Sequence, residues 1–145
     1  MSFEIGLYVS RRALGIDPEI PIFDWQSIVG LDVERFLALN AVRCPSNVLL
    51  KCDHDPRNDP ILPRSDNDLI FLALSRDVEN TVRACLLTSN VYQFLASCKH
   101  NVVFPLRDLI DELSWSASGS DAEIFSHVLV ELKRFVDLGI VALTE

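Results

Sequence analysis

The chain has 145 residues, 49% of them hydrophobic, and its 13 basic and 21 acidic residues leave a net charge of -8. That length and apolar content suit one domain with a sizeable core, with room for an N-terminal elaboration. The charge repels phosphate backbones over the whole molecule, and the basic doublets Arg11-Arg12 and Lys133-Arg134 are isolated, which argues against a nucleic-acid partner.

The segment MSFEIGLYVSRR lacks a basic stretch followed by a long apolar one, so it does not read as a secretory signal. No apolar run approaches the roughly 20 residues that span a bilayer. The expectation is a soluble cytoplasmic chain that does not enter a membrane. Residues 3–9 (FEIGLYV) are apolar and partly alternating, which predicts a strand. Gly15, Pro18 and Pro21 predict an irregular connection after it. Asp24 is a candidate N-cap for a helix over 25–40, with Ile28, Leu31, Phe36, Leu39 and Val42 as its apolar stripe. Gly30 weakens the first turns of that helix, and Asp32 offers a second cap for a shorter helix over 33–41.

Residues 44–68 hold four prolines and several Asp and Asn turn formers, and read as a solvated loop or joint around a short strand at 48–50. Cys52 and His54 are the one tight Cys/His pair, and two ligands do not make a metal site. Cys44, Cys52, Cys85 and Cys98 include no CxxC pair and read as buried thiols in a reducing compartment. Neither a metal nor a cofactor is expected.

From residue 68 the pattern sharpens. DLIFLALS (68–75) is a continuous apolar strand, RDVEN a turn and TVRACLL (81–87) a second strand, so the three predict a hairpin. Thr88 or Ser89 caps a helix running to about Lys99, with Val91, Phe94, Leu95 and Cys98 on one face. Residues 101–104 form a link to Pro105, which suits the first turn of the next helix. That helix turns Leu106, Leu109, Ile110 and Leu113 inward and Arg107, Asp108, Asp111 and Glu112 outward, with Trp115 covering its end. After the SASGS turn, Ser120 and Glu123 form a capping box for the last helix. Gly139 suits its left-handed C-cap, and 140–143 close the chain as a strand.

No nucleophile–base set, paired-acid site, phosphate loop or dinucleotide fingerprint is present. His54, His100 and His127 are the only histidines, each in a setting that suits a structural or solvated role better than a catalytic one. No catalytic residue is assigned, and the chain reads as a binding protein rather than an enzyme acting alone.

The order hairpin, helix, helix, helix over 66–145, with PLRDLIDEL as second helix and IFSHVLVELKRFVDLGIVAL as third, resembles the pyrroloquinoline-quinone peptide chaperone family. Those are the precursor-peptide recognition elements of ribosomal peptide biosynthesis. The resemblance implies an α+β fold in which a winged-helix-like module (a β-hairpin followed by three helices) occupies 66–145. An N-terminal α/β extension over 1–65, expected to contact a partner, precedes it. In size and order the chain is similar to the accessory partners of multinuclear iron oxidases in the methanobactin and 3-thiaglutamate pathways. The resemblance implies two partners, a precursor peptide and a modifying enzyme, the latter an iron oxidase. It further implies that the leader of the peptide adds as a strand to the sheet edge, against the last helix. The peptide-binding residues expected on that basis are Thr81, Val82, Arg83, Ala84 and Cys85 on the edge strand and Phe125, Leu129 and Val136 on the helix. A third strand for the sheet could come from 3–9 or from 48–50.

A helix apolar nearly all round can also be buried on both sides, with the N-terminal region packed over it and no groove left. Two other functions compete with peptide recognition. A winged-helix transcription regulator needs a basic second helix, and Asp108, Asp111 and Glu112 oppose that. A small acidic inhibitor or immunity-type protein needs only the charge.

Overall fold

Residues Phe3–Arg12 form a helix, α1, where alternation predicts a strand. The Ser2 hydroxyl caps it by accepting the Ile5 N–H at 3.2 Å. Phe3, Gly6, Leu7 and Ser10, spaced by three and four, make its inner face. Gly6 lets the helix settle close on its support, because a Cβ there would stand 2.9 Å from Leu74 Cδ1. The computed structural model describes residues 2–53, 56, 69–115 and 117–145.

The expected helix over 25–40 is two short ones, α2 (Trp25–Val29) and α3 (Val33–Leu37), split at Gly30. Both candidate caps are used: Asp24 Oδ1 accepts the Ser27 N–H and Asp32 Oδ1 the Arg35 N–H, each at 2.8 Å. Neither helix continues to Val42, which lies in strand β1 (Asn40–Arg43). β2 (Val48–Cys52), β3 (Ile70–Arg76) and β4 (Val82–Leu87) follow, and the expected hairpin is β3–β4. α4 (Ser89–Ser97), α5 (Leu106–Ser114) and α6 (Asp121–Asp137) are the three helices after it, and β6 (Val141–Thr144) closes the chain. The link before Pro105 is itself a short strand, β5 (Val103–Pro105). Trp115 does not cover the end of α5: it is 79% exposed, because Leu106, Leu109, Ile110 and Leu113 already fill the inner face of that helix. Of the Asp-rich loop, residues 54–68 apart from Pro56 lie outside the described residues, His54 among them.

Among the described residues the fold is mixed α+β, with six helices and two three-stranded antiparallel sheets, ordered β5-β1-β6 and β2-β3-β4. β1 is the centre of the first sheet, with Val42 opposite Val103 on one side and Ala142 on the other. The continuous apolar run of β3 is explained by burial of both faces of the second sheet. Leu50, Leu72 and Leu74 lie against Phe3 and Leu7 of α1. Ala73, Cys85 and Leu87 face the opposite way, into a core shared with Val91, Leu95, Leu109 and Leu132. Ile28, Phe36, Leu39 and Ala41 belong to that same core, so both sides of position 65 contribute to it. No described helix is long and apolar enough to cross a membrane.

Arg43 ties the layers together. Its buried guanidinium donates to Asn47 Oδ1 (2.7 Å), the Asn47 carbonyl (3.2 Å), and the Leu95 and Cys98 carbonyls (3.2 and 3.0 Å). Asn47 Nδ2 in turn donates to Ser75 Oγ at 3.0 Å. The cation thus sits at the carbonyl end of α4, where the helix dipole favours it, and burial pushes its pKa down from the ordinary arginine value.

Candidate functional site

β4 is an edge strand, hydrogen-bonded to β3 and to no other described strand, so one row of its N–H and C=O groups faces away from the sheet. The hairpin turn that presents it is fixed by Asp77. Its Oδ1 accepts the N–H groups of Glu79 and Thr81 at 3.0 and 2.9 Å, and its Oδ2 takes Arg83 Nε at 3.1 Å. The Thr81 N–H, and then Arg83, hold this carboxyl below the usual aspartate range. Asn80 supplies the left-handed turn residue, at φ 64°.

Where β4 ends, a groove of about 320 Å³ opens between it, the start of α4, α5 and α6. Leu87, Val91, Leu113 and Phe135 make an apolar floor, each 9% exposed or less. The rim carries Leu86, 47% exposed, with His127, Glu131 and Arg134 of α6 opposite. Arg134 Nη1 reaches Glu131 Oε2 at 3.4 Å, a partly exposed pair that screening leaves weak. An extended chain laid along β4 would meet main-chain partners on one side and, at its end, an apolar floor with a cation beside it.

The expected site residues divide three ways. Thr81, Val82, Arg83, Ala84 and Cys85 lie in or beside β4, at the end away from the groove. Cys85 is core and Val82 and Ala84 pack toward α1, so they offer backbone rather than side chain; Arg83 is held by Asp77. Phe125 and Leu129 line a different pocket with Trp25, Ile28 and Phe36, where the Phe36 and Phe125 rings meet edge to face at 6.1 Å. Val136 lines a third cleft, with Phe23, Trp25 and Gly139. At about 100° per residue, Phe125, Leu129 and Val136 share one flank of α6, and His127, Glu131 and Arg134 lie on the opposite flank. β4 and the flank chosen on hydrophobicity are therefore not brought together. The residues that do meet β4 are His127, Glu131, Arg134 and Phe135, which a polar row spaced by four and three beside a core phenylalanine could have flagged.

Neither Cys44 nor Cys98 lines this groove. Cys44 is buried away from it, its pKa pushed up to about 12 by burial, and burial also raises that of Cys98, which donates to the Phe94 carbonyl. His100 is tied to the Asn47 carbonyl at 2.7 Å.

No family model matches the chain. No curated protein matches it either.

Proposed function

We propose that this chain is a non-catalytic recognition protein for a ribosomally made precursor peptide. Its β3–β4 hairpin and α4–α6 act as a winged-helix-like module, and the leader of the peptide adds to the edge of β4 as a fourth strand. An apolar side chain of the leader enters the floor formed by Leu87, Val91, Leu113 and Phe135, and Arg134 and His127 meet its neighbours at the rim. The bound peptide is presented to a modifying enzyme, an iron-dependent oxidase in the reading that the family resemblance implies. The single observation that carries this is the open edge of β4 running into the groove beside α6. The exposed face of α5, with Asp108 and Asp111 against Arg107, opposes a DNA-reading role.

The test is a fluorescence-anisotropy titration with labelled synthetic peptides from the short open reading frames beside the gene, with amide exchange read on the complex. Binding of one peptide, with new protection on β4 and shifts at Leu87 and His127, is expected. Tight binding that protects neither β4 nor α6, or no binding by any of these peptides, rejects the reading.

A further inference from the structure

Helix α1 carries a second apolar stripe beyond the one its own fold uses. Phe3, Gly6, Leu7 and Ser10 rest on the β2-β3-β4 sheet. On the opposite side Ile5 is 55% exposed, Tyr8 60% and Val9 38%, and Arg12 continues the row. Positions 5, 8, 9 and 12 have the i, i+3, i+4, i+7 spacing of a helix that docks into a groove. A helix lying on a sheet needs one such stripe, not two.

The end of this stripe is basic, in a chain of net charge -8. The Arg12 guanidinium lies over the Tyr8 ring at 5.3 Å. Arg76 Nη1 donates to the Arg11 carbonyl at 3.0 Å, which brings a third guanidinium to the same place. Among the described residues no carboxylate pairs with Arg11 or Arg12.

We infer that the outer face of α1 is a docking surface for a second protein, one that offers a concave apolar groove rimmed by carboxylates where it meets Arg11 and Arg12. The inference rests on the proposed function only in taking that protein to be the modifying enzyme. Charge and size select this occupant. A ten-residue helix is about 15 Å long, and two such convex surfaces touch over far less than the roughly 800 Å² per partner of a stable interface, which disfavours a second copy. A wide anionic membrane would meet the chain's acidic surface together with α1. A groove the width of one helix meets only the local cations, and charges more than about 8 Å away are largely screened. α1 covers the face of the sheet opposite α4–α6, so a protein held there flanks β4 without entering the groove.

The experiment places the photocrosslinker p-benzoylphenylalanine at position 8 of the full chain, in the producing cells, and identifies the adduct by mass spectrometry. The identified protein is then purified and titrated against the wild type and against the Arg11→Glu/Arg12→Glu double variant. Expected are an adduct with a different protein, mapped to an Asp- or Glu-bordered segment, and at least a tenfold loss of affinity in the double variant. Circular dichroism checks that this variant stays folded, because two carboxylates in the last turn of α1 oppose the helix dipole; the Arg11→Gln/Arg12→Gln variant, without that cost, should lose affinity in the same direction. An adduct with a second copy or with lipid overturns the inference. So does labelling no stronger than from the exposed hairpin position Val78, or an affinity indifferent to the two arginines. Arg134→Glu should leave the adduct unchanged, so loss of peptide binding and loss of docking are told apart.

Discussion

The two flanks of α6 are built from similar helical geometry and meet opposite fates. On one, Phe125 and Leu129 pack half-buried against α2 and α3, beside an apolar pocket of about 430 Å³ whose border includes the exposed Val29, Val33 and Val130. On the other, Phe135 and its neighbours face the end of β4 across a groove with a polar rim. Hydrophobicity alone therefore does not choose between the two flanks as a binding side. The greasier flank packs in part on α2 and α3, whereas the flank proposed to take the peptide sets a buried aromatic beside titratable side chains.

The largest expected effect is at Gly139, which fixes both flanks by anchoring the end of α6. It has φ +74°, and a Cβ there would lie 1.9 Å from the Arg76 carbonyl oxygen at the end of β3. Gly139→Ala should cost on the order of 3–5 kcal/mol, from left-handed strain plus a clash with backbone that cannot rotate away. Urea unfolding measures it, and a loss under about 1 kcal/mol would mean that the α6 end and the hairpin are not locked together. Next is the flank that packs on α2 and α3. Phe125→Ala should cost about 2 kcal/mol, from lost burial and the lost ring contact with Phe36, and should leave peptide affinity within about twofold. A large loss of peptide affinity with little loss of stability would exchange the roles of the two flanks.

What could be read from the residues alone follows from how local the deciding contacts are. α5 and α6 are plain in the sequence because their stripe, the Ser120 cap and Gly139 all act within a few residues. The β3–β4 hairpin is equally plain, since its turn residues sit between two apolar runs. α1 is misread because FEIGLYV fits either period over seven residues, and what settles it is the sheet surface of Leu50 and Leu74 far along the chain. β5 is three residues long and is a strand because β1 lies beside it. The site divides in the same way. β4 could be named as the edge candidate, whereas the choice between the flanks of α6 depends on where α2 and α3 come to rest.

A smaller effect tests whether the start of α6 matters to one flank more than the other. Ser120 Oγ accepts the Glu123 N–H at 3.3 Å and contacts Glu123 Oε1 at 3.1 Å. Ser120→Ala should cost about 1 kcal/mol by leaving a first-turn donor to water. Amide exchange should speed up near Phe125 and stay slow near Arg134, about two and a half turns further on. Uniform acceleration along α6 would show the helix opening as one unit, and the two flanks would then not be separable by local stability.

The smallest effect on stability is expected at the rim itself. Arg134 is 46% exposed at its side chain, and its contact with Glu131 is long, so Arg134→Glu should change unfolding free energy by less than about 0.5 kcal/mol. Peptide affinity should nonetheless fall by at least tenfold, about 1.4 kcal/mol. The variant replaces the groove's guanidinium with a second carboxylate beside Glu131, removing donors that an added strand or its side chains can use. The matched reversal on the other flank is Lys133→Glu, which replaces a lysine that pairs with Asp137 at 2.6 Å and lines the Phe125 pocket. It changes the net charge of the chain by the same amount as Arg134→Glu. If both reversals weaken the peptide alike, the effect is long-range charge and the groove is not the site. A loss confined to Arg134→Glu assigns the peptide to the flank that faces β4, because total charge cannot distinguish the two variants.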